Sequence, residues 1–392
     1  MNSDTVKGEA GEQPVLAICY DFDKTLSPDD MQAQGYIQSV GYDTEAFWRE
    51  ANLLAQNNDM DPNLAYMYLM VREAEGHLVF TKEALARYGA GVRLFPGVEG
   101  WFERIGLYGQ RAGVKVEHYI ISSGLREMIE GTSIAKAGVF ERIYASSFYY
   151  NSRGVAVWPA MNVNYTNKTQ FLFRIRKGVP DVTDPAVNDY FPPDKLRVPF
   201  RNMVYIGDSD TDVPCMKLVN VNGGYSIGVY NADTKDKTKV YKMMRENRIK
   251  YYAPADYSEG KELDILLKAI IDRTAENEAL ESRFYAYKRE QTDADKQTNE
   301  TEREKVDLLI KLENSRSFAT THAVIEKMRQ ITVWTKDETE NLFTIAVNNS
   351  QVFYILGDMD VKAFYQKLLN GCKVPSENAE KIKARIEETD RL

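Results

Sequence analysis

Three short apolar runs in this chain are each followed at once by a polar cluster, and this pattern constrains the fold more than any other feature. The runs cover residues 15–20, 114–121 and 203–206, and the clusters begin at Asp21, Ser122 and Gly207. A short continuous apolar run bounded by polar residues is typical of a strand buried on both faces. Open α/β sheets place their ligand crevice at the carboxyl ends of such strands, so we expect the three clusters to converge at one edge.

Predicted helices alternate with these strands. The helices cover residues 98–108, 125–136, 167–177 and 263–271. Further short strands are predicted at residues 142–150, 154–159 and 226–230. Residues 178–199 are rich in proline and aspartate, which indicates a loop. Strands that alternate with helices predict an α/β domain with a doubly wound, mostly parallel, Rossmann-like sheet.

A helical pattern interrupts the α/β pattern between residues 28 and 91. The pair Asp61-Pro62 is typical of a helix start, with aspartate as the N-cap and proline at the first helical position. Apolar residues follow at the spacing i, i+3, i+4 and i+7, namely Leu64, Met67, Tyr68 and Val71. We predict four helices in this segment, inserted as a cap beside the first polar cluster.

The character of the chain changes again after about residue 272. Residues 291–304 carry many charges and no large apolar side chain, which predicts a solvated helix or a linker, and residues 306–369 again have a helical pattern. The predicted domains are an α/β core at residues 1–27 and 92–272, a helical cap at residues 28–91, and a helical C-terminal extension at residues 273–392. We expect the extension to pack on its own domain or to form a homo-oligomer, with docking of another protein as the alternative.

Charge and cysteine content exclude several classes of protein. Fifty basic and 58 acidic residues give a net charge of −8, which argues against a nucleic-acid partner and against a polybasic surface that binds membranes. No apolar run approaches the roughly 20 residues of a membrane span, and residues 1–14 do not resemble a signal peptide. Cys19, Cys215 and Cys372 lie far apart, so a disulfide framework is not expected. These features predict a cytoplasmic protein.

The acidic residues after the first and third runs indicate a metal site. Asp21, Asp23, Asp208 and Asp212 would repel one another at one sheet edge unless a cation were present. Oxygen ligands without histidine or cysteine suit a hard ion, above all Mg²⁺, which can also hold a phosphate. Lys168, in the first turn of a predicted helix, could supply a positive charge at the same place.

Taken in order along the chain, these clusters resemble the four motifs of the haloacid dehalogenase-like superfamily. The matching segments are Asp21-Phe-Asp23-Lys-Thr25, the strand-end Ser122, Lys168, and Gly207-Asp208-Ser-Asp-Thr-Asp212. Within the superfamily the pattern is similar to the phosphoserine phosphatase-like branch. Ser122-Ser123-Gly124-Leu125 resembles that branch's serine–glycine–glycine–aromatic turn, with Ser123 in place of the first glycine and Leu125 in place of the aromatic residue. These departures weaken any transfer of substrate identity.

The resemblance implies a two-step phosphatase reaction on a small phosphorylated metabolite. Asp21 would attack phosphorus to form an aspartyl-phosphate, and Asp23 would act first as general acid and then as general base. Mg²⁺ would be held by the Asp21 side chain, the Asp23 backbone carbonyl and Asp208. Asp212 would support the metal directly or through water and would orient Lys168.

The resemblance also implies which residues bind the phosphoryl group. Ser122 and Lys168, with the backbone of Ser123 and Gly124, would bind the phosphoryl oxygens that gain charge in the transition state. Thr25, at the base of the same site, would hold the Asp21 loop through its hydroxyl.

Three rival functions are weighed against the phosphatase. A dehalogenase would not need an acid/base two residues after its nucleophile, so Asp23 argues against it. A phosphotransferase would pass the phosphoryl group to an acceptor other than water, and the sequence leaves this alternative open. A non-catalytic scaffold that works through its helical C-terminal region would tolerate loss of motif residues, and none is lost here.

Overall fold

The computed structural model describes residues 13–295, 300–372 and 374–390. The chain forms two compact units. The first ends at Ala279 and leaves out residues 188–195, which belong to the second unit together with the chain from Leu280 onward. The predicted core had included residues 188–195 and had ended at residue 272, so the units divide the chain at slightly different positions.

A seven-stranded sheet forms the centre of the first unit. In chain order the strands are β1 (Val15–Tyr20), β2 (Lys115–Leu125), β3 (Arg142–Tyr150), β4 (Ala156–Met161), β5 (Met203–Gly207), β6 (Tyr225–Tyr230) and β7 (Tyr251–Pro254). Their spatial order is β4-β3-β2-β1-β5-β6-β7. All neighbours pair in parallel except β3 and β4, which form an antiparallel edge. The predicted doubly wound, mostly parallel α/β fold is confirmed.

The register of the central strands determines where the site lies. The last residue of β1, Tyr20, pairs with Ile120 of β2 on one side and with Ile206 of β5 on the other. The residues that follow these three strand positions therefore emerge side by side at one edge of the sheet. Because β1 and β5 are buried almost throughout, this register cannot slip without exposing apolar side chains.

Four α-helices lie in residues 28–91, the predicted cap segment between β1 and β2. They are α1 (Tyr36–Ser39), α2 (Thr44–Asn58), α3 (Pro62–Ala74) and α4 (Lys82–Ala90). Asp61 caps α3 by accepting from the backbone N–H groups of Asn63 and Leu64, as its position before proline predicts. Thr81 caps α4 in the same manner. The helical cap inserted between the first two strands of the sheet has the predicted number of helices.

The remaining helices of the first unit are α5 (Val98–Arg111), α6 (Arg126–Gly131), α7 (Ser133–Lys136), α8 (Thr169–Lys177), α9 (Val213–Val221), α10 (Thr238–Arg245) and the first part of α11 (Glu262–Asp295). The single helix predicted at residues 125–136 is wrong, because Thr132 adopts an extended conformation and caps α7. Helices α9 and α10 and strand β7 were not predicted from the sequence.

The second unit is helical, as predicted. After α11 it contains α12 (Glu300–Glu313), α13 (Phe318–Gln330), α14 (Lys336–Asn348), α15 (Ser350–Tyr354), α16 (Met359–Gly371) and α17 (Glu377–Thr389). Buried side chains from all six of these helices form one apolar core that includes Leu312, Ile325, Phe343, Tyr365 and Ile382. The predicted solvated stretch at residues 291–304 is helical at both ends, and residues 296–299 lie outside the described part.

None of the helices in the described ranges combines the length and apolarity needed to cross a membrane.

A histidine in the second unit should make its stability depend on pH. His322 of α13 contacts Asp360 through Nδ1 at 2.7 Å and Asp358 through Nε2 at 3.1 Å. The hydrogen bond to Asp360 raises the pKa of His322 above its usual value. The stabilisation is therefore fully present below the pKa of the unfolded chain and is lost as the pH rises through the raised pKa.

We expect His322→Gln to lower the free energy of unfolding by up to about 1 kcal/mol at about pH 6, because the pair is partly exposed to solvent, and by less at about pH 9. Urea denaturation of the full chain at both pH values measures this difference. His77→Gln, a change at an exposed histidine in the first unit, is the control. An effect of His322→Gln that is equal at both pH values would contradict a charged pair.

Candidate active site

Asp21 lies directly after β1, where the three strand ends meet. Its backbone N–H donates to the carbonyl oxygen of Ile206 at 3.0 Å, which continues the pairing with β5. Its Oδ1 accepts from the N–H of Phe22 at 2.8 Å, and its Oδ2 lies 3.3 Å from Nζ of Lys168. The carboxylate is therefore held in a single orientation beside a cation, as a nucleophile requires.

Asp23 is the second carboxylate of this loop. Its Oδ1 accepts from the backbone N–H of Met31 at 2.9 Å. Burial raises the pKa of Asp23 well above its ordinary value, and the nearby carboxylates of Asp30 and Asp21 raise it further. A raised pKa favours the protonated form, which a general acid needs.

The end of β2 bulges toward this loop. Ser122 pairs with Ala145, but the next paired residue of β2 is Leu125, so Ser123 and Gly124 leave the ladder. The hydroxyl of Ser122 accepts from the N–H of Gly124 at 3.1 Å, which leaves its own O–H free to donate to a ligand.

Gly124 packs against the loop after β1 that carries Asp23. A Cβ at this position would lie 3.0 Å from Oδ2 of Asp23 and 2.6 Å from Cε of Met31. The absence of a side chain therefore allows the turn after β2 to approach Asp23.

Lys168 and Asp212 form a buried ion pair next to Asp21. Lys168 immediately precedes α8, and its Nζ lies 2.7 Å from Oδ1 of Asp212. Both side chains are fully buried. Burial alone would lower the pKa of Lys168, but the charges of Asp21 and Asp212 outweigh it and raise the pKa, so the ammonium group stays charged.

Asp212 has hydrogen bonds on both carboxylate oxygens. Oδ1 accepts from the hydroxyl of Tyr205 at 2.9 Å as well as from Lys168, and Oδ2 accepts from the N–H and the hydroxyl of Ser209 at 3.2 and 3.1 Å. A Cβ on Gly207 would lie 2.4 Å from this Oδ2, so glycine is needed there. Asp212 is thus occupied in orienting Lys168.

Three carboxylates lie close together at the carboxyl ends of β1 and β5. Oxygen atoms of Asp21, Asp208 and Asp212 lie within 4.8 Å of one another. Burial and the neighbouring carboxylates raise the pKa of Asp21 to about 7 and that of Asp208 to about 6. Relief of this repulsion by a cation with oxygen ligands fits Mg²⁺. The carboxylate of Asp23 is not in the cluster, and its predicted metal contact is through its backbone carbonyl.

A cavity of about 240 Å³ opens above these groups. It is lined by residues of the core and of the cap: Asp21, Asp23, Lys24, Asp30, Gln32, Trp48, Asn63, Tyr66, Ser122, Ser123, Gly124, Asp208, Ser209, Thr211 and Lys239. The hydroxyl of Tyr66 in α3 donates to the carbonyl oxygen of Ser123 at 2.8 Å, which ties the cap to the turn after β2.

Three predicted site residues, Thr25, Lys168 and Asp212, are fully buried and do not line this cavity. The hydroxyl of Thr25 has no hydrogen-bond partner among the described residues. The predicted role of this hydroxyl is therefore not seen. The loop is instead held by backbone N–H groups of residues 25–27 that converge on the carbonyl oxygen of Phe22, and by the hydroxyl of Tyr257, which donates to the carbonyl oxygen of Thr25 at 2.8 Å.

A family model for haloacid dehalogenase-like hydrolases matches residues 18–217, which is half of the chain and includes all four predicted motifs. This chain belongs to the haloacid dehalogenase-like hydrolases. The prediction of an enzyme of this family is thereby confirmed.

Comparison with individual proteins gives a relative among curated sequences and several distant structures. A protein of Borreliella burgdorferi described as uncharacterized is 30% identical in an alignment of 277 residues that covers 64% of this chain and 94% of that protein. A HAD family hydrolase from Salmonella enterica serovar Typhi is 18% identical, with a TM-score of 0.43 and coverage of 66% of this chain and 72% of the other. A probable phosphoserine phosphatase from Vibrio cholerae is 12% identical, with a TM-score of 0.44 and coverage of 68% of both chains.

Several residues around this hydrolase site were not found from the sequence. Tyr205 lies inside an apolar strand, where its hydroxyl gives no signal, and Gln32 lies in the predicted helical cap, where nothing in the sequence distinguishes it from the other polar residues. Lys239 belongs to the unpredicted helix α10, and its Nζ lies 3.4 Å from Oδ2 of Asp208. Only the tertiary fold brings these side chains to the motifs.

We expect Tyr205→Phe to lower kcat about tenfold with little change in KM. A hydrogen bond to a charged group such as the Asp212 carboxylate contributes about 1.5–3 kcal/mol of stabilisation. Its loss should leave Asp212, and through it Lys168, less firmly oriented. Steady-state kinetics of the two proteins measure the separate effects on kcat and KM. Tyr144→Phe is the matched control, since the buried Tyr144 donates to Pro180 at 3.1 Å in the same unit. Equal losses of kcat in both variants would mean that Tyr205 contributes only to the stability of the fold.

Proposed function

We propose that this protein is a Mg²⁺-dependent phosphomonoester phosphatase that acts on a small phosphorylated metabolite through an aspartyl-phosphate. The observation that carries the proposal is the position of Asp21. Its oriented carboxylate lies 3.3 Å from the buried ammonium group of Lys168, and it is close to Asp23, whose raised pKa suits proton transfer. Membership of the hydrolase family supports the same reaction.

In the first step a carboxylate oxygen of Asp21 attacks phosphorus. The bond between phosphorus and the leaving oxygen breaks, and Asp23 donates its proton to that oxygen. In the second step Asp23, now ionised, accepts a proton from water, and the water oxygen attacks the phosphorus of the aspartyl-phosphate. The bond between phosphorus and the Asp21 oxygen breaks, which releases inorganic phosphate and leaves Asp21 as a carboxylate and Asp23 as a carboxylic acid.

Positive charge and hydrogen-bond donors surround the transferred group. Lys168 and the O–H of Ser122 would bind phosphoryl oxygens, and the turn at Ser123 and Gly124 brings backbone groups to the same place. When bound, Mg²⁺ would supply further neutralisation of the developing negative charge. In this proposal Asp21 and Asp208 would hold the ion, and Asp212 would act through Lys168.

Release of inorganic phosphate from a panel of phosphate monoesters, with Mg²⁺ present, tests this proposal. We expect at least one small ester to be hydrolysed with kcat/KM on the order of 10⁴ M⁻¹s⁻¹ or more. Release of the free alcohol without inorganic phosphate, in the presence of an added alcohol acceptor, would favour the phosphotransferase. A complete lack of turnover across the panel would support the non-catalytic scaffold.

A further inference from the structure

The wall of the catalytic cavity that the cap supplies has a chemistry distinct from the wall around Asp21. It is formed by Asp30, Gln32, Trp48, Asn63 and Tyr66. This wall would face the leaving group of a bound phosphate ester, because the phosphoryl group must lie at Asp21. An inference about its ligand therefore rests on the proposed phosphatase function.

Two residues of this wall carry polar side-chain atoms that are buried without a hydrogen-bond partner in the described part of the chain. The atoms are Oε1 of Gln32, whose side chain is 2% exposed, and Nε1 of Trp48. An unmade hydrogen bond of this kind costs about 1–3 kcal/mol per buried group. One atom is an acceptor and the other a donor, so a ligand that satisfies both must itself carry a donor and an acceptor.

Formal charge on this wall is already compensated. Asp30 accepts from Nζ of Lys24 at 2.9 Å, so the charged pair needs no counterion from a ligand. No arginine is among the described residues that line the cavity. In the cap, Arg72 contacts Glu73 at 2.5 Å and also pairs with Glu50. The other lysine in the lining, Lys239, contacts Asp208 at 3.4 Å. A carboxylate on the leaving group would thus enter a partly buried site in which each lining lysine already contacts a carboxylate, which is unfavourable.

The shape of the wall favours a small ligand with some apolar surface. Trp48 packs edge-on against Tyr66, with ring centroids 5.7 Å apart, so aromatic carbon borders the polar atoms. The whole cavity is about 240 Å³, and the phosphoryl group takes part of that volume. Hydroxyl groups can both donate and accept, and the C–H faces between them can pack on aromatic carbon.

We propose that the leaving group is a small uncharged polyhydroxy alcohol, either a polyol or a monosaccharide, recognised by Gln32 and Trp48. The hydroxyls of such a group donate to Oε1 of Gln32 and accept from Nε1 of Trp48. Under this proposal the two residues determine specificity, and an amino-acid phosphate such as phosphoserine is a poor substrate.

The first test compares three probes with Mg²⁺: glycerol phosphate, glucose 6-phosphate and phosphoserine. We expect at least one of the first two to have a kcat/KM about tenfold or more above that of phosphoserine. Phosphoserine as the best of the three would overturn the proposal. p-Nitrophenyl phosphate separates this inference from the proposed function, because its hydrolysis without hydrolysis of either hydroxylated probe would refute the inference and leave the phosphatase function standing. No hydrolysis of any ester would refute both.

The second test uses Gln32→Leu and Trp48→Phe, with Tyr68→Phe as the matched control on an exposed side chain of α3. Each of the first two changes should lower kcat/KM for the preferred hydroxylated probe about tenfold more than for p-nitrophenyl phosphate, while the control leaves both values unchanged. Gln32→Leu should also not lower the melting temperature, since it removes an unsatisfied buried oxygen. Uniform losses on all probes, together with a lower melting temperature, would mean that Gln32 is structural and would overturn its assigned role.

Discussion

Asp21→Asn should lower kcat by more than about 10³-fold, which corresponds to roughly 4 kcal/mol of barrier. The amide keeps the size of the carboxylate and can still accept from the N–H of Phe22, but it is not a nucleophile. Burial first, and then repulsion from Asp212 and Asp208, raises the pKa of Asp21 to about 7. The change to asparagine removes this buried charge, so the metal-free fold should be as stable as the native one or more stable.

Phosphate release and thermal unfolding of the variant measure these two effects. Asp210→Asn makes the same chemical change at a side chain that is 58% exposed in the neighbouring loop, and it should alter neither quantity. A loss of only about tenfold in Asp21→Asn, or about 1.4 kcal/mol, would mean that another residue attacks phosphorus.

Removal of metal is the second change with a large expected effect. A chelator should abolish turnover, and added Mg²⁺ should restore it, because the carboxylates at the site repel one another without a cation. Asp208→Ala should weaken Mg²⁺ binding by more than about 100-fold, whereas Asp212→Ala should weaken it about tenfold, since Asp212 acts through neighbouring groups.

Titration of each apo variant with Mg²⁺, followed by the rise in melting temperature, gives the affinities without relying on activity. Asp210→Ala serves as the control within the same motif. Full activity in excess chelator would contradict the metal assignment. A larger loss of affinity in Asp212→Ala than in Asp208→Ala would place Asp212 in direct contact with the ion.

The central strands β1, β2 and β5 were predictable because they are largely buried on both faces and end in polar residues. Each of the runs before Asp21, Ser122 and Gly207 has a single plausible conformation and register, so the sequence was enough to bring the motifs to one edge. The cap was predictable for a related reason, since the N-caps at Asp61 and Thr81 mark helix starts locally.

The rest of the site depends on contacts between distant segments. Tyr205 and Gln32 reach the site only through tertiary packing, and the position of Thr25 reflects a loop closed by backbone hydrogen bonds, which no side-chain pattern reveals. The break at Thr132 was missed because a threonine within an apolar helical pattern is compatible with both a continuous helix and a new N-cap.

The central claim is that the phosphoryl group passes through Asp21. Rapid acid quench of the enzyme during turnover, followed by mass spectrometry of the peptide that contains Asp21 and Asp23, tests it directly. We expect a peptide heavier by one phosphoryl group, with fragment ions that assign the addition to Asp21, and no addition in Asp21→Asn. A phosphorylated Asp23, or a label that persists in Asp21→Asn, would contradict the claim.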